Sequence, residues 1–95
     1  MRPFLVALLG ITACASPPPP TLQVAAARAA IEQAGPLAAR YSAAELAGAE
    51  AKLERAQQAL ARGDNTQARR LSEEAEVDAR LASAMAENER SREAK

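Results

Sequence analysis

The sequence predicts an all-α protein in which an antiparallel helical hairpin, with or without a third helix, follows a signal peptide and a proline-rich spacer. Alanine, the strongest intrinsic helix former, accounts for 26 of the 95 residues. Leu46, Leu53 and Leu60 recur every seven residues, which is typical of a helix that packs along one face. The Gly63-Asp64 dipeptide separates two long helical segments, and so short a connection favours antiparallel neighbours.

The first residues have the pattern of a bacterial export signal. Arg2 precedes an apolar run from Phe4 to Ile11, which is too short to span a bilayer as a helix. The segment Ile11-Thr12-Ala13-Cys14 resembles the lipobox of bacterial lipoproteins. The resemblance implies that residues 1–13 are removed and that Cys14 carries a covalent diacylglycerol and an N-acyl chain. We expect no other cofactor.

The residues after Cys14 bear on where the protein is anchored. Ala15 and Ser16 follow it, and neither is the aspartate associated with inner-membrane retention in enteric bacteria. We therefore expect a lipid-anchored protein at the periplasmic face of the outer membrane. Three acyl chains, at ~0.8 kcal/mol per buried methylene, would make this attachment essentially permanent. The alternatives are a plain secretory signal, an uncleaved anchor, or a thiol that packs as a small hydrophobe.

The remaining sequence divides into a linker and one helical domain. Residues 14–21 form the linker, in which Pro17 to Pro20 predict polyproline II at ~3.1 Å per residue. Residues 22–95 form the alanine-rich domain. The whole chain has 12 basic and 12 acidic side chains and two aromatic ones, and without a basic stripe or stacking platform we expect no nucleic-acid partner.

The first predicted helix is short. Thr21 suits the N-cap of a helix over Leu22–Ala34. Gly35-Pro36 predicts the end of this helix, because proline cannot continue the hydrogen-bond ladder. Leu37–Tyr41 is then expected to be a loop.

The second predicted helix has clearer boundaries. Ser42 and Glu45 have the spacing of a capping box, in which each side chain bonds a free backbone N–H of the first turn. The helix continues through the leucine repeat and ends at Gly63, which suits the position after a C-cap.

The third predicted helix is the longest. Asp64 or Asn65 caps its start, and it extends to about Ala94. Its larger apolar side chains predict the face that packs on the second helix: Leu71, Ala75, Val77, Leu81, Ala82 and Met85. A core built from so few large side chains is marginal on its own, and self-association or a protein partner would stabilise it.

Several short runs in this domain occur together in a known family. They are Tyr-Ser-Ala-x-Glu-Leu at 41–46, Leu53-Glu54-Arg55-Ala56, Ala61-Arg62-Gly63-Asp64 and the segment 68–81. With these runs, the stretch from Tyr41 to Met85 resembles domain of unknown function 4398 of bacterial envelope proteins. Members are short lipoproteins, or precede a peptidoglycan-binding domain like that of outer membrane protein A. The resemblance implies a helical envelope domain and no known activity.

One carboxylate stands out on the predicted packing face. Asp78 lies between Ala75 and Ala82 at helical spacing. It is either a recognition or catalytic group, or a structural one that bonds Tyr41 or a basic residue such as Lys52 on the facing helix. We favour the structural interpretation, with Asp78 and Tyr41 as a polar part of the core.

Composition argues against an enzyme. The chain has no histidine and only one cysteine, which removes the commonest general base and the commonest metal ligands. No calcium-loop spacing of carboxylates occurs. We expect neither catalytic nor metal-binding residues.

Two functions are compatible with these features. The first is a non-catalytic structural or adaptor lipoprotein, held on the membrane by its lipid, whose helices bind another envelope protein or a second copy. The alternative is a tether like the murein lipoprotein, in which a transpeptidase joins the side chain of Lys95 to peptidoglycan. A C-terminal lysine supports the alternative, but Gly35-Pro36 and Gly63 interrupt the long heptads that such a tether needs.

Overall fold

The computed structural model describes residues 18–94, and the predicted signal peptide, Cys14 and Lys95 lie outside the described residues. Within that range the chain forms three helices and no strand: α1 (Thr21–Tyr41), α2 (Ala43–Ala61) and α3 (Asn65–Glu93). The all-α prediction is confirmed, and the protein takes the three-helix form. At 1.5 Å per residue, α3 is ~43 Å long.

The contacts at the helix ends define the direction of each helix. A guanidinium nitrogen of Arg69, near the start of α3, donates to the Pro18 carbonyl just before α1, at 3.3 Å. The Tyr41 hydroxyl at the end of α1 donates to Glu93 at the end of α3, at 2.6 Å. α1 and α3 therefore run parallel, and α2 returns antiparallel between their ends.

The prediction that Gly35-Pro36 ends the first helix is wrong. α1 continues through Pro36 to Tyr41, although proline in a helix interior costs ~3 kcal/mol. The Pro36 ring is exposed, whereas Ala34 and Ala38 are buried, and Leu37 and Tyr41 pack against the core. Burial of this last stretch of α1 outweighs the hydrogen bond that proline cannot donate.

The predicted side-chain caps have mixed outcomes. Thr21 is already helical; Pro20 is the N-cap residue and makes no side-chain cap bond, so the Thr21 cap is wrong. Ser42 is the N-cap of α2, but its hydroxyl makes no cap bond and donates instead to the Ala82 carbonyl of α3 at 2.7 Å. The Asp64 cap is confirmed, since its carboxylate accepts from the Gln67 N–H at 3.2 Å.

The turn between α2 and α3 depends on Gly63. Its φ of 81° lies in the left-handed region that favours glycine. Its N–H donates to the Leu60 carbonyl, and the Asp64 N–H donates to the Ala59 carbonyl, at 3.0 and 2.9 Å. These two bonds form a Schellman motif, which ends α2 as predicted and reverses the chain.

The core is built mostly from alanine. One cluster joins all three helices, with Leu46 as the large side chain from α2 and Ile31 as the large one from α1. Its remaining buried members are Ala34, Ala38, Ala49, Ala79, Ala82 and Ala86. Methyl-sized side chains let the helix axes approach closely, so the bundle is narrow.

The leucine repeat of α2 faces this core. Leu46, Ala49 and Ala56 are buried, and Leu53 and Leu60 are half-buried. The predicted packing face of α2 is therefore confirmed.

The prediction of the packing face of α3 is partly wrong, because some residues that we placed on this face are exposed. The buried side chains of α3 are small ones apart from Leu71: Ala68, Leu71, Ser72, Ala75, Ala79, Ala82 and Ala86. Met85, which we expected on this face, and Val77 and Leu81, which we expected to widen it, are exposed. The helix is rotated about its axis so that its continuous row of small residues, rather than its larger ones, meets α1 and α2.

Candidate functional site

The outer side of α3 carries a row of exposed apolar side chains. Val77, Leu81 and Met85 are 63%, 51% and 37% exposed, and we call these three residues the apolar ridge. They are spaced at i, i+4 and i+8, so they form one continuous ridge ~12 Å long on the helix surface. A single exposed leucine is ordinary on a protein surface, but three aligned large side chains beside an alanine core are not.

An open groove of about 350 Å³ lies beside the ridge, between α2 and α3. Apart from Val77, all the residues that line it are charged: Lys52, Arg70, Glu73, Glu74 and Asp78. The groove therefore places an apolar side chain of the ridge next to a dense set of ion pairs.

Lys52 is the centre of these ion pairs. Its ammonium group lies 2.8 Å from a carboxylate oxygen of Asp78 and 3.6 Å from one of Glu74. The hydrogen bond that Lys52 donates to Asp78 raises the pKa of Lys52 above its ordinary value, and the neighbouring charge of Glu74 acts in the same direction. Arg70 also pairs with Glu74, at 2.8 Å. The two Lys52 contacts link α2 to α3, whereas the Arg70–Glu74 pair lies within α3.

A second polar cluster lies at the end of the bundle where α1 meets α3. The Tyr41 hydroxyl donates to Glu93 at 2.6 Å, and this hydrogen bond raises the pKa of the phenol above its ordinary value. The Arg40 guanidinium lies 5.0 Å from the centre of the Tyr41 ring and 3.8 Å from the Glu93 carboxylate. The cluster holds the last turn of α3 on α1.

A family model matches this architecture from end to end. The family described as "Domain of unknown function (DUF4398)" matches residues 22–95, which include α2, α3 and all of α1 except Thr21. The chain belongs to this DUF4398 family. No curated protein and no solved structure matches the chain significantly.

The structure separates the two residues that we expected in a polar core of the DUF4398 domain. Asp78 is half-buried and pairs with Lys52 on α2, which was one of the two predicted partners. Tyr41 bonds Glu93 instead of Asp78, at the far end of α3. Cys14 and Lys95, the predicted lipidation and wall-attachment residues, lie outside the described residues.

The apolar ridge of the DUF4398 domain is the feature that the sequence analysis placed on the wrong side of α3. Its signal was available in the small residues. Alanine recurs every seven residues in two sets. The first is Ala68, Ala75 and Ala82, and the second, which begins four positions after Ala75, is Ala79 and Ala86. A seven-residue repeat is the spacing of a helix-packing face. A row of alanines at that spacing leaves the larger neighbours outside.

None of the helices in residues 18–94 is both long and apolar enough to cross a membrane. Within the same range, no group of three or more acidic, histidine or cysteine side chains is placed to hold a metal ion.

Proposed function

We propose that this DUF4398 protein is a non-catalytic adaptor of the bacterial envelope, anchored by lipid on Cys14, whose apolar ridge binds a helix of another envelope protein. The observation that carries the proposal is the distribution of side-chain size on α3. Alanines fill the inside of the bundle, and Val77, Leu81 and Met85 face outward. A helix that exposes three of its four larger apolar side chains gains stability when a partner covers them.

The geometry of the ridge favours a helical partner. Side chains at i, i+4 and i+8 form the type of ridge that fits into the groove of a second helix in the commonest class of helix packing. The ion pairs beside Val77 supply a polar rim around this apolar contact. A partner helix with its own apolar stripe and a charged border matches both parts of the surface.

The size of the ridge suggests why anchoring matters. Burying an aliphatic side chain fully contributes about 1.5–3 kcal/mol, so three partly exposed ones support only a weak contact in solution. Two proteins held on the same membrane meet at a much higher effective concentration. The lipobox-like segment ending at Cys14 supports such an anchor, and the wall-attachment alternative through Lys95 does not account for the ridge.

Photocrosslinking in the native envelope tests the proposed binding surface. A photoreactive phenylalanine analogue replaces Leu81 on the ridge, and the matched control places it at Ala51, which is exposed on α2. We expect a defined protein adduct from position 81 that is absent from position 51, identified by mass spectrometry. Equal labelling at both positions, or a muropeptide on the Lys95 amine as the main attachment, contradicts the proposal.

The lipid anchor is tested separately. Cys14→Ala removes the thiol that would be acylated, and we expect the variant to lack the acyl mass and the partition into detergent that we expect of the native protein. An unchanged mass and partition would mean that Cys14 is not the anchor.

A further inference from the structure

The two ends of the helical bundle have opposite net charge. We compare the eight residues of each helix nearest to each end, together with the connecting residues. At the end where α1 begins, the structure has five arginines and two carboxylates: Arg28, Arg55, Arg62, Arg69, Arg70, Glu54 and Asp64. At the opposite end it has three arginines and five glutamates: Arg40, Arg90, Arg92, Glu45, Glu50, Glu87, Glu89 and Glu93. We call the first the basic end.

Three arginines of the basic end are free to meet an external anion. Arg28, Arg55 and Arg62 are exposed, and their side chains make no hydrogen bond or ion pair with any described residue. Arg62 lies in the turn, and Arg28 and Arg55 lie ~10 Å along their helices from the end of the bundle. The other two are engaged, since Arg69 donates to Pro18 and Arg70 pairs with Glu74.

The linker leaves the bundle at this same end and is held there. The Pro20 side chain is fully buried, and the Pro18 carbonyl accepts the hydrogen bond from Arg69 at 3.3 Å. Only four residue steps join Pro18 to Cys14, and a step is at most ~3.6 Å, so the chain length limits the distance from Pro18 to a lipid attachment at Cys14 to about 15–20 Å. A lipid anchored at Cys14 keeps the basic end close to the membrane surface.

We propose that the basic end docks on the phosphate groups of anionic phospholipids, so that the bundle stands on the membrane and its apolar ridge, on the side of α3, is held clear of the surface. The proposal rests on the lipid anchor of the proposed function. Arginine guanidinium groups bind phosphate oxygens with paired hydrogen bonds. The attraction extends over about one Debye length, ~10 Å at moderate salt, which reaches from Arg62 in the turn to the depth of Arg28 and Arg55. The acidic far end is repelled by the same surface.

Reconstitution of the acylated full-length protein tests the docking. A Thr66→Cys variant is labelled with a fluorescent donor on the new thiol, which lies at the basic end. A separate Ser91→Cys variant carries the same donor at the far end. Both positions are exposed. The acceptor is a headgroup-labelled lipid in vesicles of phosphatidylcholine, with or without phosphatidylglycerol. We expect phosphatidylglycerol to increase energy transfer from position 66 and to decrease it from position 91, and high salt to reverse both changes.

Charge variants assign the effect to the free arginines. The triple variant Arg28→Gln, Arg55→Gln and Arg62→Gln should lose the response to phosphatidylglycerol, because each basic residue near an anionic surface changes the docked-to-free ratio about fivefold. The matched control, Arg80→Gln, Arg90→Gln and Arg92→Gln, removes the same charge away from the basic end and should keep the response. Replacement of the first three by lysine should also keep it, which separates charge from folding.

The outcomes separate this inference from the proposed function. If the protein is acylated but its energy transfer does not change with phosphatidylglycerol, the proposed docking is wrong, and the proposed adaptor function is unaffected. Protein that carries no acyl chains overturns the anchor and the docking together. A triple glutamine variant that keeps the vesicle response but loses the crosslink from Leu81 would assign the arginines to a protein partner and would overturn the lipid proposal.

Discussion

Single side chains at the corner between α1 and α2 hold the third helix in place. The Ser42 hydroxyl donates to the Ala82 carbonyl at 2.7 Å, forty residues away in the sequence. The neighbouring Tyr41 hydroxyl donates to Glu93 at 2.6 Å. Two adjacent residues therefore bond α3 at two positions along its length, Ala82 and Glu93. These bonds define the position of α3 relative to α1 and α2.

The Tyr41 contact predicts a specific titration behaviour. Donation of the phenol proton to Glu93 favours the neutral phenol, so the pKa of Tyr41 is raised above its ordinary value of 10.0. Because the folded pKa is raised, the contact stabilises the fold fully below pH 10.0 and this stability is lost as the pH rises through the folded pKa. Tyr41 is the chain's one tyrosine, so phenolate absorbance reports it without overlap.

Glu93→Ala should lower the pKa of Tyr41 toward its ordinary value. The variant lacks the hydrogen bond between Tyr41 and Glu93, so the part of the alkaline destabilisation that comes from breaking this bond should disappear. Glu87→Ala, which removes an exposed carboxylate of the same last turns, is the control and should leave the titration unchanged. A phenol pKa that does not respond to Glu93→Ala would show that the hydrogen bond is not formed in solution.

The ion pair of Asp78 gives a second testable prediction about a single side chain. Its carboxylate pairs with Lys52 at the edge of the groove, where both side chains are about one-third exposed. Asp78→Asn should therefore lower the melting temperature only slightly, because solvent-screened ion pairs contribute little. The control is Glu50→Gln, an exposed position on α2. Unchanged stability together with loss of the Leu81 crosslink would assign Asp78 to partner recognition instead.

The sequence could identify Lys52 as a partner of Asp78, because the Gly63 turn fixes the register of the two helices it joins. The sequence could not exclude Tyr41 as the other predicted hydrogen-bond partner of Asp78. A loop over residues 37–41, as we predicted, would leave the position of Tyr41 open, whereas the continuation of α1 brings Tyr41 to Glu93 at the far end of α3. An error in one helix boundary thus became an error in a predicted contact.

The continuity of α1 through Pro36 is the main result at the level of single helices. Local rules predict a break, because Pro36 cannot donate to the Glu32 carbonyl and Gly35 is a poor helix former. The helix continues because Ala38, Leu37 and Tyr41 pack on α2 and α3. Sequence rules describe the local cost, but the compensating burial depends on helices that come later in the chain.

Pro36→Ala should therefore stabilise the bundle by about 2 kcal/mol. The substitution restores the missing hydrogen bond at an exposed position, and the gain is reduced by the greater flexibility of the unfolded chain. Urea denaturation measures the change, with Gln33→Ala, an exposed position one turn earlier, as the control. A Pro36→Ala variant that is no more stable than the wild type would argue for a helix that ends at Gly35.

The orientation of α3 shows a limit of hydrophobic patterning in alanine-rich helices. Prediction from the larger side chains placed Val77, Leu81 and Met85 on the packing face, but close packing of three helices needs small residues between them. Ala79 and Ala82 have no exposed surface, and a leucine at either position would be overpacked. In such a sequence the spacing of alanine predicts the core, and the larger apolar residues predict where a partner binds.

At the scale of the whole molecule, the three helices depend on one another. Ile31 of α1 and Leu46 of α2 belong to the same buried cluster as Ala79, Ala82 and Ala86 of α3. A hairpin of α2 and α3 alone, which the Gly63 turn first suggests, would expose the alanine row of α3 that α1 covers. The smallest unit that buries this row is the full bundle, so we expect the protein to unfold in a single transition.

Ile31→Asp tests this interdependence. Ile31 is buried, and a carboxylate at this position has no partner to offset its desolvation, which should cost more than about 3 kcal/mol. A domain of this size is stable by only ~4–11 kcal/mol, so the loss should weaken all three helices together. Hydrogen exchange should accelerate across α2 and α3 as much as in α1. Leu22→Asp, at a highly exposed position of the same helix, is the control. If α2 and α3 keep their protection while α1 exchanges freely, the hairpin is an independent unit and α1 is an added arm.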